Sequence, residues 1–151
     1  MLKIGDLAPD FTLATDQDNM FTLSKCRGKK IILYFYPKDN TPGCTKEACE
    51  FRNQFSAFKN KGIEIVGISK DSTKTHSQFK HKYQLPFTLL VDKNGDVCET
   101  YGVLNKKSFW GKTFLGIERS TFLINEQGLI AALWRKVKVA GHVEQVFNEC
   151  S

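Results

Sequence analysis

A chain of 151 residues, 41% hydrophobic and 25% charged, has the length of about one domain and the composition of an ordinary folded protein, which argues against disulfide-stapled miniproteins and long repeat arrays. No apolar run approaches the roughly 20 residues of a membrane helix. The first residues carry Lys3, Asp6 and Asp10 without an apolar block, so no export signal is read and the expected compartment is cytoplasmic. The net charge of +6 leans toward anionic partners, but the basic residues are scattered, with local clusters only at Lys106 to Lys112 and Arg135 to Lys138. A nucleic-acid face concentrates them, so neither a nucleic-acid nor a membrane partner is expected.

In chain order, Phe11-Thr12-Leu13 and Phe21-Thr22-Leu23 flank the turn-forming Asp16-Gln17-Asp18-Asn19 and predict an N-terminal hairpin. Ile31 to Tyr36 and Ile63 to Ile68 are near-continuous apolar runs, the pattern of strands buried on both faces. Between them, Thr45 to Lys61 has helical periodicity, as does Thr73 to Tyr83. A strand follows at Phe87 to Val91, and then a long insert in which Phe109, Trp110 and Phe114 lie among Lys106, Lys107 and Lys112. That insert is expected to form a loop packed against the active site. Thr121 to Ile124 and Leu129 to Trp134 form a hairpin through Asn125-Glu126-Gln127-Gly128, and Gly141 to Cys150 closes the chain as a helix. No repeat or linker interrupts this order, so residues 1 to 151 read as one α/β domain, a central mixed β-sheet flanked by helices with an N-terminal β-hairpin extension.

The chemistry-bearing stretch is Tyr36-Pro37-Lys38-Asp39-Asn40-Thr41-Pro42-Gly43-Cys44-Thr45-Lys46-Glu47-Ala48-Cys49. Thr41 followed by Pro42 is a helix start, with Thr41 as N-cap and Pro42 at the first helical position, where its missing N–H costs nothing. Cys44, Ala48, Phe51, Phe55 and Phe58 then recur at helical spacing, so Cys44 falls where the core-facing stripe meets the positive end of the helix. A free thiol with a pKa near 8.5 is only about 3% thiolate at pH 7. Making a thiolate dominant takes about 3 kcal/mol, more than the roughly 0.3–1 kcal/mol a helix N-terminus usually supplies, and burial works against it. A cation is needed, and Arg119, at the mouth of the strand Thr121 to Ile124, is the candidate.

Five cysteines, an odd number, without an export signal point to redox chemistry, metal binding or inert core thiols rather than a disulfide framework. Cys49 lies five residues after Cys44. In an intact helix the two project about 140° apart with Cα atoms about 8.6 Å from each other, beyond the roughly 7 Å a disulfide permits. Either Cys49 is a small residue on the helix flank, or the first turns unwind to let the sulfurs meet. His76, His81 and His142 show no ligand spacing, and the four-residue gap between Cys44 and Cys49 is wider than zinc sites favour. No metal and no cofactor is expected.

Pro37-x-x-x-Thr41-x-x-Cys44 resembles the active-site pattern of the peroxiredoxin family, and its surroundings with Cys49 resemble the bacterioferritin comigratory protein or peroxiredoxin Q subfamily. The likeness runs through Gly5-Asp6-x-Ala8-Pro9-Asp10-Phe11, Leu85-Pro86-Phe87-x-Leu89-Leu90-x-Asp92 and Gly116-Ile117-Glu118-Arg119-Ser120-Thr121-Phe122. It implies a thioredoxin-like fold and a thiol peroxidase. On that likeness Cys44 is the peroxidatic cysteine, attacking hydrogen peroxide or an organic hydroperoxide to form a sulfenic acid. Thr41 orients the peroxide, Arg119 polarises it, Pro37 shields the sulfur, and the backbone N–H groups of Gly43 and Cys44 add fixed dipoles. Cys49 matches the resolving cysteine, whose disulfide thioredoxin or a similar dithiol protein reduces, and Glu47 matches a glutamate that holds the arginine. A monomer or weak dimer is expected.

Cys26, Cys98 and Cys150 match no essential family position and read as incidental, with Cys150 taken as exposed. Two other readings of the motif are a thioredoxin-like disulfide oxidoreductase, which usually has two residues between its cysteines, and a noncatalytic redox sensor or chaperone-like binder.

Overall fold

The computed structural model describes residues 1–150. The first strands, β1 (Thr12–Thr15) and β2 (Met20–Thr22), form the N-terminal hairpin, and a short 3₁₀ turn follows at Leu23–Cys26. The hairpin is more than an extension, because β1 also pairs with a strand of the central sheet. Next comes β3 (Lys30–Phe35). Its side chains alternate between two cores: Ile32 and Tyr34 belong to one, Ile31, Leu33 and Phe35 to the other. A strand covered on both faces has no polar side, which is why this segment is apolar throughout.

Two helices follow β3, α1 (Pro42–Asn53) and α2 (Phe55–Asn60). The single helix expected over Thr45 to Lys61 is therefore divided at Gln54, whose N–H is shared between the carbonyls of Glu50 and Phe51, both at 3.2 Å. Asn53, a weak helix former, precedes the break. The apolar stripe survives it, with Cys44, Ala48, Phe51 and Phe58 all buried in the same core.

The chain then runs through β4 (Ile63–Ser69), α3 (Thr73–Tyr83), β5 (Thr88–Val91) and α4 (Asp96–Thr100). Ser72 caps α3 by accepting the Thr75 N–H at 3.1 Å. The insert folds as a two-stranded sheet of its own, β6 (Leu104–Phe109) and β7 (Lys112–Ile117), rather than as a loop packed on the site. Phe109, Trp110, Phe114 and Leu115 stay exposed there, because a hairpin pairing only with itself offers its side chains no third layer. Finally β8 (Ser120–Ile124), β9 (Ile130–Trp134) and α5 (His142–Glu149) complete the chain.

The seven strands of the main sheet lie in the order β2-β1-β5-β4-β3-β8-β9. β3, β4 and β5 are mutually parallel and the others join antiparallel, giving the mixed sheet of a thioredoxin-like fold. Among the described residues no helix is long and apolar enough to cross a membrane.

One register matters for function. Phe35 lies opposite Ser120 across the β3–β8 pair, so Arg119, one residue earlier, stands beside the end of β3 where the segment leading to Cys44 begins.

α1 is fastened to the sheet by Phe51, whose ring stacks on Tyr34 at 4.7 Å and tilts against Phe58 at 6.0 Å. Phe51→Ala is expected to cost about 3–5 kcal/mol, the range for deleting a buried aromatic side chain. Urea unfolding monitored by circular dichroism reads this directly, and a loss below about 1 kcal/mol would mean that α1 docks by other contacts.

Candidate active site

The residues between β3 and α1 turn back so that α1 starts at the carboxyl end of the parallel strands, where open α/β sheets present their sites. The first helical hydrogen bond runs from Thr45 N–H to Thr41 C=O at 2.9 Å. The N–H groups of Gly43 and Cys44 come before it and have no acceptor within the helix. Thr41 occupies the N-cap position with extended backbone, but its side chain does not cap. Its hydroxyl donates instead to the Lys38 carbonyl at 2.8 Å, which leaves the oxygen's lone pairs free to accept.

Arg119 sits at the centre of the group. Its Nη1 donates to Glu47 Oε1 at 2.8 Å and its Nη2 to Cys44 Sγ at 3.4 Å. The arginine expected from sequence is thus within reach of the sulfur, and the planar guanidinium spans a carboxylate and a thiol at once, which the point charge of a lysine does not do as well. Gly43 has a part that its backbone dipole does not reveal: a Cβ there would stand 3.1 Å from Arg119 Nη2, so the absent side chain is what lets the guanidinium close over the helix start. Pro37 is half-buried at the beginning of the same segment.

Burial would lower the Arg119 pKa, but Glu47 and Cys44 outweigh it and raise it. Glu47 is fully buried and is pushed up to about 7 by desolvation, with Arg119 pulling it back. Its second oxygen, Oε2, is buried with no hydrogen-bond partner, and a charge half satisfied in this way costs more than one fully paired.

Cys44 is buried, Cys49 half-buried, and both lie on the unbroken α1 as free thiols. The remaining cysteines are set apart by their surroundings. Burial raises the pKa of Cys26, Cys98 and Cys150, reinforced at Cys98 by the hydrogen bond and charge of Asp92. All three therefore disfavour the thiolate. Cys150 is buried rather than exposed, because α5 packs its end against the core that holds Phe58, Val143 and Val146.

Two histidines near this region escaped the sequence reading, which weighed histidines only as metal ligands. His142 Nε2 lies 2.8 Å from Thr121 Oγ1, and its ring meets Trp134 edge-on at 5.8 Å. His76 joins Asp39 and Tyr36 under the segment that leads to Cys44. No spacing in the sequence marks either, since both partners come from distant elements.

A cysteine at a helix start beneath an arginine, on a thioredoxin-like sheet, is an arrangement that suits a thiol peroxidase. The AhpC/TSA family pattern matches residues 4–133, and the chain belongs to that family. It is 58% identical over 145 residues to the putative peroxiredoxin bcp of Coxiella burnetii, covering 96% of both chains. With peroxiredoxin Bcp of Bacillus subtilis it shares 48% identity over 147 residues, 97% of this chain and 94% of the other. Among solved structures, PrxQ of Xylella fastidiosa superposes with a TM-score of 0.93 at 37% identity, over 99% of this chain and 95% of that one. Peroxiredoxin Q of Xanthomonas campestris gives 0.89 at 39% identity, over 98% and 94%. The chain is accordingly an oxidoreductase that reduces peroxides with a thiol.

Burial and the charge of Arg119 depress His142 to about 4. A depressed histidine contributes stability that is complete above its ordinary value near 6.5 and is lost as pH falls toward 4. Glu47, raised, works in the opposite sense over an overlapping range, so the two are separated by difference. His142→Gln, which keeps a hydrogen-bonding group for Thr121, should flatten the acid loss of stability between about pH 6.5 and 4. Chemical unfolding across that window tests it, and identical slopes in both proteins would remove His142 from the account.

Proposed function

We propose that Cys44 is the peroxidatic cysteine of a thiol peroxidase that reduces hydrogen peroxide and organic hydroperoxides, with Cys49 as its resolving partner and thioredoxin or a similar dithiol protein as reductant. The observation that carries the reading is Arg119 held by Glu47 with its other amino group 3.4 Å from the Cys44 sulfur. A fixed cation there stabilises the thiolate in the resting enzyme and the negative charge that moves onto oxygen during reaction.

The Cys44 thiolate attacks the terminal oxygen of ROOH. An S–O bond forms as the O–O bond breaks, its electron pair leaves on RO⁻, and a proton converts that to ROH, leaving Cys44 as a sulfenic acid. Thr41 suits the role of peroxide acceptor: its own proton is committed to Lys38, so its oxygen can receive the peroxide O–H. The free N–H groups of Gly43 and Cys44 face the same charge. Pro37 limits water at the sulfur.

The Cys49 thiol then attacks the sulfenic sulfur, forming a disulfide and releasing water. Both cysteines lie on α1 at a separation that helical geometry places beyond disulfide range, so the first turns of α1 unwind in this step. Exchange with an external dithiol returns both thiols and oxidises the partner, and α1 rewinds.

Cys44→Ser should abolish peroxide consumption coupled to thioredoxin. Cys49→Ser should keep a stoichiometric first oxidation but block turnover. A disulfide in the peroxide-treated protein that joins Cys26, Cys98 or Cys150, found by mass spectrometry, would overturn the resolving role of Cys49. Reduction of insulin disulfides without peroxide turnover would favour a disulfide oxidoreductase instead.

Arg119→Ala should slow the peroxide step about 10²–10³-fold, the usual cost of removing one preorganised donor. Stopped-flow fluorescence measures that step before any reductant is involved. A rate within a factor of two of wild type would count against the contact.

A further inference from the structure

Beneath the segment that leads to Cys44 lies a buried polar chain that the reaction itself does not use. Asp39 is 4% exposed and His76 is fully buried. His76 Nδ1 is 2.6 Å from Asp39 Oδ2, and His76 Nε2 is 2.8 Å from the carbonyl oxygen of Leu90 on β5. Asp39 Oδ1 accepts from the Tyr36 hydroxyl at 2.6 Å, and the Asp39 N–H donates to Asp71 Oδ2 at 2.9 Å. Asp71 Oδ2 also receives the Ser69 hydroxyl at 2.6 Å.

A carbonyl oxygen can only accept, and Asp39 already receives the Tyr36 proton. With Asp39 a carboxylate, and the Tyr36 hydroxyl, 3.4 Å from Nδ1, already donating to Asp39 Oδ1, each ring nitrogen of His76 faces an acceptor and donates, which requires a proton on both.

We propose that His76 is held as an imidazolium and is a positioning residue for the peroxide step: it pins Asp39, and through it the segment carrying Pro37 and Thr41, to the central sheet. The tether runs from β5 through α3 to the residues before α1. If His76 loses one proton, its remaining N–H serves only one of its two acceptors. Either its lone pair faces the Leu90 carbonyl, or it faces the Asp39 carboxylate and leaves that buried charge unneutralised.

The groups facing His76 are Asp39 and Tyr36 from the segment between β3 and α1, Asp71 from the segment between β4 and α3, and the Leu90 carbonyl from β5. Burial by itself would push the His76 pKa down, but the hydrogen bond and charge of Asp39, the Leu90 carbonyl and Asp71 outweigh it and raise it. The sign follows: the tether is intact below the ordinary histidine value near 6.5 and fails as pH rises through the raised value.

The nearest ligand atoms of Asp39, Asp71 and His76 lie within 4.8 Å of one another, so a bound cation is the competing explanation for their convergence. The atoms that would face such an ion are already engaged with one another, with Tyr36, or with the Ser69 hydroxyl and Asp39 N–H.

Nitrogen-15 spectra of histidine-labelled wild-type protein near neutral pH should show His76 with both ring nitrogens protonated. This arm is independent of activity. The rate arm rests on the peroxidase reading. In wild type the second-order rate of Cys44 oxidation should fall by up to about tenfold per pH unit once His76 deprotonates. Asp39→Asn should bring that alkaline fall to lower pH, and His76→Gln should remove it.

A merely structural role would lower the rate equally at every pH. A neutral His76 ring near neutrality, a stoichiometric metal at this cluster in the purified protein, or identical alkaline profiles in wild type and Asp39→Asn would each overturn the proposal. If His76→Gln fails to fold, the spectra and Asp39→Asn still decide it. Absence of peroxide consumption in wild type would instead sink the peroxidase reading and leave the protonation state of His76 to be judged by its spectrum.

Discussion

The arrangement depends on one charge being brought close to one sulfur. Arg119 reaches Cys44 and Glu47 together only because three separate conditions hold. The β3–β8 register sets Phe35 against Ser120 and so puts Arg119 beside the end of β3. The helix that begins there has glycine at residue 43, where a side chain would meet the guanidinium at 3.1 Å. Glu47, one turn further along α1, faces the same way as Cys44 and gives the arginine a second hold. A slip of one residue in the sheet would turn Arg119 to the opposite face.

The electrostatics have costs as well as gains. Glu47 is buried with one oxygen unpartnered, and Arg119 itself is partly removed from water, so the ion pair is a weak contributor to stability. On the proposed peroxidatic role of Cys44 its benefit lies in preorganisation, with the Arg119 donor in position at the sulfur before any peroxide arrives. Among the described residues Cys26, Cys98 and Cys150 have no cation hydrogen-bonded to the sulfur, and burial pushes their thiols up. Three of the five thiols are thus disfavoured as anions by their surroundings.

On the proposed mechanism the same helix has to be firm for one step and yielding for the next. Phe51 and Phe58 anchor its middle and the helix that follows it to the aromatic core, whereas Arg119 reaches its start through Cys44 and Glu47, and the Thr41 and Asp39 side chains bond only to residues outside it. The break at Gln54 separates α2 from the helix that carries both cysteines.

Most of the order of strands and helices was legible from periodicity, though not α4 or the two strands of the insert, and α3 spans Thr73–Tyr83, the residues its pattern predicted. The helix start at Pro42 and the position of Cys44 in its first turn were legible too, because caps and apolar spacing are local properties of the chain. The division of the first long helix, the exposed hairpin in the insert and the burial of Cys150 were not, since each depends on what packs against the segment. Tertiary structure alone brought Arg119 to the sulfur across 75 residues and joined Asp39 to His76 across 37. Local sequence determines which dihedrals and faces a segment prefers, whereas a charge or a hydrogen bond acts through a few ångströms of space, and only the folded sheet decides which distant residues come within that range.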